Sequence, residues 1–280
     1  MAAPTGRSMR EEERSRPMRA VNGVWTACSV AGRLAIALAA IMVLAGAGAM
    51  AATTCPPAAL SVATTPVPMQ NVDKYTIFLD QTKKLGNPVD VVLFGDSLME
   101  GWSALTPPLK NYKVMNLGLG NDTTQNTLWR LQQIQSNKLD PKIVIMTLGT
   151  NNLGLGDPAC GIAEGVRQAL SGTHALWPNA QILYIAIPPR GPFFDFRDDV
   201  RIAANNEIKA FATENPWVEF INVDSRMTCD FYGKVGDVDR MIGWMWPPAS
   251  RCPNYKSDSL HWSSDGYAIL GQVIGSKREP

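Results

Sequence analysis

Histidine is scarce in this chain. Its 280 residues include only His174 and His261, so a histidine base working near neutral pH has two candidates. With five cysteines and no C-x-x-C spacing, the same scarcity leaves no ligand set for zinc, and no metal is expected. Three catalytic motifs are missing: the G-x-x-x-x-G-K-[ST] phosphate loop, the H-E-x-x-H metal helix and the G-x-S-x-G nucleophile elbow. The run Gly118-Leu119-Gly120-Asn121-Asp122-Thr123 keeps two glycines of a dinucleotide fingerprint, too few to argue for a nucleotide, and no cofactor is expected. An excess of one charge is also lacking. The 26 basic and 25 acidic side chains leave a net charge of +1, which excludes the phosphate-neutralising surface a nucleic-acid partner requires. With 45% hydrophobic and 18% charged residues, collagen-like, low-complexity and wholly disordered chains are excluded. The length suits one globular domain or at most two.

What is present begins with an uneven start. Arg7, Arg10, Arg14, Arg16, Arg19 and Arg33 stand against Glu11, Glu12 and Glu13, and the next charge is Asp73. A basic region, the apolar run Leu34 to Ala45 and the small-residue site Ala49-Met50-Ala51 predict a signal peptide over residues 1–51, cut after Ala51. Two variants stay open: a true start at Met18, or an uncut segment 34–52 that tethers the protein to a membrane. Either way the folded part is expected outside the cytoplasm, periplasmic or secreted. Cleavage would remove Cys28 and leave Cys55, Cys160, Cys229 and Cys252, an even number in an oxidising compartment. Two disulfides are expected. Three connectivities are open; a local Cys229–Cys252 clip is preferred because those residues bracket a segment with little regular periodicity, and four free thiols are the alternative.

Residues 52–72 are rich in Ala, Thr and Pro and read as an extended linker, so the domain is placed at 73–280. Within it, Val89 to Phe94, Tyr112 to Leu117, Ile143 to Leu148, Ile182 to Ile187 and Val218 to Val223 are short apolar runs bounded by turn residues. They predict five buried, mainly parallel strands. Helical patterns lie between them: Thr123 to Ile134 after Asp122 as N-cap, Cys160 to Leu176, Asp198 to Thr213, and a last helix opened by Ser263. This alternation predicts an α/β fold, a three-layer α/β/α domain of the flavodoxin-like kind, with ligands bound outside the carboxyl ends of the strands. That edge holds Ser97, Gly118 to Asp122, Asn151 and Asn152.

Ser97 follows the first strand, where a nucleophile at the sheet edge has its own N–H ready to hold an oxyanion. The competing reading is a plain N-cap. His261 sits in Asp258-Ser259-Leu260-His261, a spacing that lets the carboxylate fold back onto Nδ1 and leaves Nε2 free to take a proton. Alone, D-x-x-H is more often a surface turn. His174 ends a predicted helix, where the helix dipole accounts for it without chemistry.

Taken together, four blocks resemble the SGNH or GDSL hydrolases: Gly95-Asp96-Ser97-Leu98, Asn116 to Thr124, Gly149-Thr150-Asn151-Asn152 and Asp258 to His261. Their order and spacing cover most of residues 76 to 275. Gln125 to Leu131 and Pro188-Pro189-Arg190-Gly191 look most like the branch containing the catalytic subunits of platelet-activating-factor acetylhydrolase, which cleaves short acyl esters. The resemblance implies Ser97 as nucleophile, His261 as base and Asp258 as its orienting acid. It further implies an oxyanion hole of the Ser97 and Asn121 backbone amides with the Asn151 side chain. Asn121 stands where the family has glycine, and Asn152 where it usually has Asp; Asn152 is taken as structural.

The insertion 229–252 carries Trp244 and Trp246 and is expected to wall a substrate pocket, its bland alternative being a satellite core. Arg190 is expected at the same edge, facing a polar substrate, with a solvated arginine as the alternative. The resulting expectation is an exported serine esterase acting on short acyl esters of a small molecule, a lipid or an O-acetylated carbohydrate. Longer lipid esters, thioesters and acyl transfer to polysaccharide are alternatives. The non-enzymatic rival is a membrane-tethered polysaccharide-binding scaffold, which leaves Ser97, Asp258, His261 and Asn151 as a coincidence.

Overall fold

Aliphatic runs flanked by glycine and small polar residues become strands where both faces can be covered. In the computed structural model, which describes residues 55–85, 88–134, 139–229 and 252–276, five runs do so: β1 (Val91–Gly95), β2 (Val114–Gly118), β3 (Ile143–Thr147), β4 (Gln181–Ile185) and β5 (Val218–Ile221). All four pairings are parallel, in the order β2-β1-β3-β4-β5. The chain therefore leaves β1 in one direction for β2 and returns to the other side for β3, which opens a crevice between the carboxyl ends of β1 and β3. The expected signal segment 1–51, the tether 34–52, and Trp244 and Trp246 lie outside the described residues.

Strand side chains alternate between two cores. Val92, Phe94, Val144, Met146, Ile182 and Tyr184 enter one cluster. It is covered by α2 (Val72–Lys83), which precedes the sheet, and by α4 (Thr124–Gln133), α6 (Ala159–Leu176) and α7 (Asp198–Glu214), which follow β2, β3 and β4 respectively. Val91, Leu93, Ile145, Leu183 and Ile185 enter the other cluster. There they meet α3 (Ser97–Glu100), α8 (Asp224–Met227) and α9 (Ser264–Gly275). A short helix α5 (Thr150–Leu155) follows β3 at the crevice. The period of two and two covered faces give the expected three layers.

The linker expectation is corrected. Within 52–72 the chain forms α1 (Pro57–Thr64), with proline at its start where a missing N–H costs nothing. Cys55 is bonded to Cys160, 105 residues away, and Thr124 Oγ1 donates to the Ala63 carbonyl at 2.8 Å. A Cβ at Gly165 would lie 2.8 Å from that same carbonyl, so the glycine is what lets α1 lie on α6. Composition suggested coil because the forces that order this stretch come from distant residues. Cys229 and Cys252 form the second disulfide, the preferred clip.

Element boundaries shift by one or two residues, and two of the shifts have a clear cause. Asp122 does not cap α4: Thr123 does, its side chain accepting from Asn126 N–H, because Asp122 is buried beneath the helix with Arg130. Strand β4 stops at Ile185 because α7 takes over the next hydrogen bonds. The Ile187 N–H donates to Asn205 Oδ1 at 3.0 Å, and its carbonyl accepts from Asn205 and Arg201. Ser263 caps the last helix as expected.

Candidate active site

Strand β1 delivers Ser97 through two residues with special requirements. Gly95 has φ +134°, and a Cβ there would stand 2.0 Å from the Thr147 carbonyl of β3, so only glycine lets β1 end so close to its neighbour. Asp96, not Ser97, is the N-cap of α3: its Oδ1 accepts the Leu98 N–H at 2.9 Å. The Ser97 hydroxyl is thereby released from the capping role. The four-residue helix is too short to hold itself. It is pinned by Asn116, whose Nδ2 donates to the Met99 carbonyl at 2.9 Å, and by Tyr267, whose hydroxyl donates to the Leu98 carbonyl at 2.8 Å.

Asp258 and His261 arrive on one turn, closed by a bridge between Tyr255 and Trp262. Ser259 takes φ 55° at its bend, and Asp258 Oδ1 accepts the N–H groups of Leu260 and His261 at 3.0 and 2.9 Å. This leaves Oδ2 for the ring: His261 Nδ1 lies 2.7 Å from Asp258 Oδ2 and Nε2 lies 2.8 Å from Ser97 Oγ. With the ring proton on Nδ1, Nε2 accepts from the serine hydroxyl. Burial raises the Asp258 carboxyl, but the His261 ring and the two backbone N–H groups outweigh it, so it sits below its usual range and is ionised at neutral pH.

Three donors flank this chain of hydrogen bonds. Asn121 has φ 66°, the left-handed conformation that asparagine tolerates better than most residues. Among the described residues the backbone N–H groups of Ser97 and Asn121 have no acceptor. Asn151 Nδ2 donates to the Asp122 carbonyl at 2.8 Å, which ties α5 to the loop of Asn121 and leaves the second amide hydrogen unspent. Asn152 is built into the frame: its Oδ1 accepts the Thr124 N–H at 2.9 Å, and its Nδ2 reaches Asp157.

Other sequence candidates fall elsewhere. His174 stacks flat on Trp217, centroids 4.2 Å apart, beside the amino end of β5 and away from Ser97. Arg190 does come to the site, but its Nη1 donates to the Thr150 carbonyl at 2.9 Å, and its guanidinium lies 4.8 Å from the centre of the Phe196 ring. Burial lowers its pKa, while the charges of Asp96 and Asp258 favour its protonated form.

Sequence reasoning missed two supporting groups. Arg130 is fully buried and pairs with Asp122 at 2.5 Å, with a second donor on the Leu117 carbonyl. It holds the end of β2 to the loop that carries Asn121. Its only sequence signal is Thr127, one turn earlier and bonded to the same carboxylate at 2.6 Å.

The other group is Asp96, fully buried, whose Oδ2 has no partner among the described residues. Burial pushes its pKa up to about 7; Asp122 and Glu100 act in the same direction, and the Leu98 N–H and Arg190 oppose them. Its negative charge also bears on Tyr184 and Tyr267, whose own pKa values are raised chiefly by burial. A raised carboxyl pKa means that the folded state holds a proton the unfolded chain has lost. Stability is therefore expected to fall as pH rises from about 4 to about 7. The Asp96→Asn variant lacks that dependence, so its melting temperature relative to the parent should climb between pH 5 and pH 8. A constant difference in calorimetry would refute the assignment.

The fold is a three-layer α/β/α domain with the Ser97–His261–Asp258 chain of hydrogen bonds at the carboxyl edge of its sheet. The chain belongs to the GDSL-like lipase/acylhydrolase family, whose model matches residues 93–269. Platelet-activating factor acetylhydrolase IB subunit alpha1 from Bos taurus and from Homo sapiens are each 30% identical to it over 141 residues, 48% of this chain and 59% of the relative. The chain thus spans under two thirds of the length of these curated relatives. Among solved structures, a Bacteroides fragilis protein provisionally described as an acylhydrolase superimposes with TM-score 0.55 at 19% identity, covering 75% of this chain and 97% of that one. A lipolytic G-D-S-L family member from Veillonella parvula gives 0.50 at 14%, covering 68% and 99%. At such identities these two support the fold.

Proposed function

We propose that the protein is an exported serine esterase that hydrolyses short acyl esters, acetyl esters foremost, through an acyl-enzyme on Ser97. The observation that carries the reading is the unbroken chain of hydrogen bonds from Ser97 Oγ through the His261 ring to Asp258, with distances of 2.8 and 2.7 Å. His261 Nε2 takes the hydroxyl proton as Oγ attacks the ester carbonyl carbon. The resulting oxyanion is received by the Ser97 and Asn121 N–H groups and the unspent Asn151 hydrogen. The imidazolium then passes its proton to the departing alcohol, and water repeats the sequence in reverse to release the acid.

Acetyl esters are favoured by the likeness to proteins named as acetylhydrolases. O-acetylated carbohydrate or an acetylated lipid supplies the natural alcohol in this reading. Export is supported by the basic and apolar start of the chain and by two disulfides, which persist in oxidising compartments. A fluorophosphonate probe tests the catalytic part: labelling is expected in the parent and absent in Ser97→Ala. A protein that never labels, yet retains its melting temperature, points to the binding scaffold instead. Comparing p-nitrophenyl acetate, octanoate and palmitate tests chain length, with rates expected to fall in that order; a palmitate preference would replace the short-acyl reading with a lipase.

A further inference from the structure

Three consecutive residues, Pro189, Arg190 and Gly191, touch both halves of the site. The Pro189 carbonyl accepts the Tyr255 hydroxyl at 3.0 Å, at the foot of the turn that carries Asp258 and His261. The Gly191 N–H donates to the Ser259 carbonyl at 2.8 Å, inside that turn. Between these two backbone attachments, Arg190 sends Nη1 the other way, to the Thr150 carbonyl at 2.9 Å and the Thr150 hydroxyl at 3.3 Å. Thr150 opens α5 and directly precedes Asn151. The Phe196 ring against the guanidinium and the Phe196 N–H bonded to the Arg190 carbonyl at 3.2 Å fix the arginine at its root.

We propose that Arg190 is a positioning residue whose guanidinium locks the acid–base turn to the start of α5, and so sets the place of the Asn151 amide relative to Ser97 and His261. The inference rests on the reading of Asn151 as an oxyanion donor. Two physical points favour arginine over a shorter or softer link. A planar guanidinium keeps its donors in one fixed fork, and stacking on an aromatic face removes the rotational freedom a lysine would retain. The carbonyl it holds belongs to the peptide that leads into Asn151, so an error at Thr150 is carried straight to the amide. The turn itself is held by the Pro189 and Gly191 backbone bonds, which survive loss of the side chain.

Arg190 then acts through Asn151 alone, which gives the test. Arg190→Met is expected to lower kcat on the neutral ester p-nitrophenyl acetate by about tenfold to a hundredfold, the size of effect a displacement of about 1 Å produces, with KM little changed. Added to Asn151→Ala, the same substitution should cost nothing further, because the donor it positions is gone. Arg190→Lys should recover only part of the rate. Unchanged kcat in Arg190→Met, or a loss that adds fully to that of Asn151→Ala, overturns the proposal, as does a KM increase confined to anionic esters, which would make Arg190 a substrate contact. A second readout needs no turnover. The Asn151 side-chain amide resonances, identified by their loss in Asn151→Asp, should shift in Arg190→Met while the melting temperature stays near that of the parent. Resonances that do not move defeat the proposal even in a protein without esterase activity, whereas parent protein inactive towards esters with resonances that do move defeats only the reading on which it rests.

Discussion

Ser97→Ala and His261→Ala are each expected to lower kcat for p-nitrophenyl acetate by about 10⁴ to 10⁶, with unchanged folding by circular dichroism. The two side chains form one proton path, a single hydrogen bond of 2.8 Å, so removing the second after the first removes nothing that still works. The double variant should therefore be scarcely slower than either single one. Asp258→Ala should be milder. That carboxylate is 48% exposed, and water can take its place beside Nδ1, although the Leu260 and His261 N–H groups lose the acceptor that shapes the turn. His174→Ala serves as the control for the base. It should leave kcat unaltered because its ring is occupied with Trp217; a severe loss there with a mild one in His261→Ala would show the base to be misassigned.

Asn151→Ala is expected to cost about 10² to 10³ in turnover with KM little affected, the loss that follows removal of one oxyanion donor. Asn121→Gly is expected to keep most of the activity. Its contribution is a backbone N–H, and its φ of 66° is one that glycine adopts at no cost. The pair discriminates sharply because the two residues are linked through the Asp122 carbonyl, 2.8 Å from Asn151 Nδ2. Steady-state kinetics in which Asn121→Gly falls steeply and Asn151→Ala hardly at all would show that the Asn121 side chain had taken the oxyanion role.

Much of this site was legible because its parts are local. Ser97 follows a strand, Asp258 and His261 share a four-residue turn, and Asn151 follows another strand, so that each is placed by a few neighbouring residues. The five strands were legible for the same reason, each an apolar run between turn residues. What escaped was non-local or off pattern. Helix α1 depends on Cys160 and Ala63's contact with Thr124, neither of which its own composition announces. Helix α2 buries only Phe78 while Val72, Ile77 and Leu79 face solvent, so its apolar residues do not trace one stripe. Asp122 reads as an N-cap and Arg130 carries no expectation of its own, because burial of an ion pair is decided by the shape around it and not by its sequence. Arg190 was placed at the right edge of the sheet, but its bond to Thr150 spans 40 positions.

The Cys55–Cys160 bond has a mechanical meaning. A pull applied to the chain ahead of Cys55 crosses the sulfur bridge straight into the first turn of α6, and the intervening loop of residues 56–159 carries none of the load. That loop contains Ser97, Asn121 and Asn151, along with β1, β2 and β3. Tension on the chain ahead of Cys55 would thus enter α6 without running along the stretch that holds Ser97, Asn121 and Asn151, while Asp258 and His261 lie beyond the bridge.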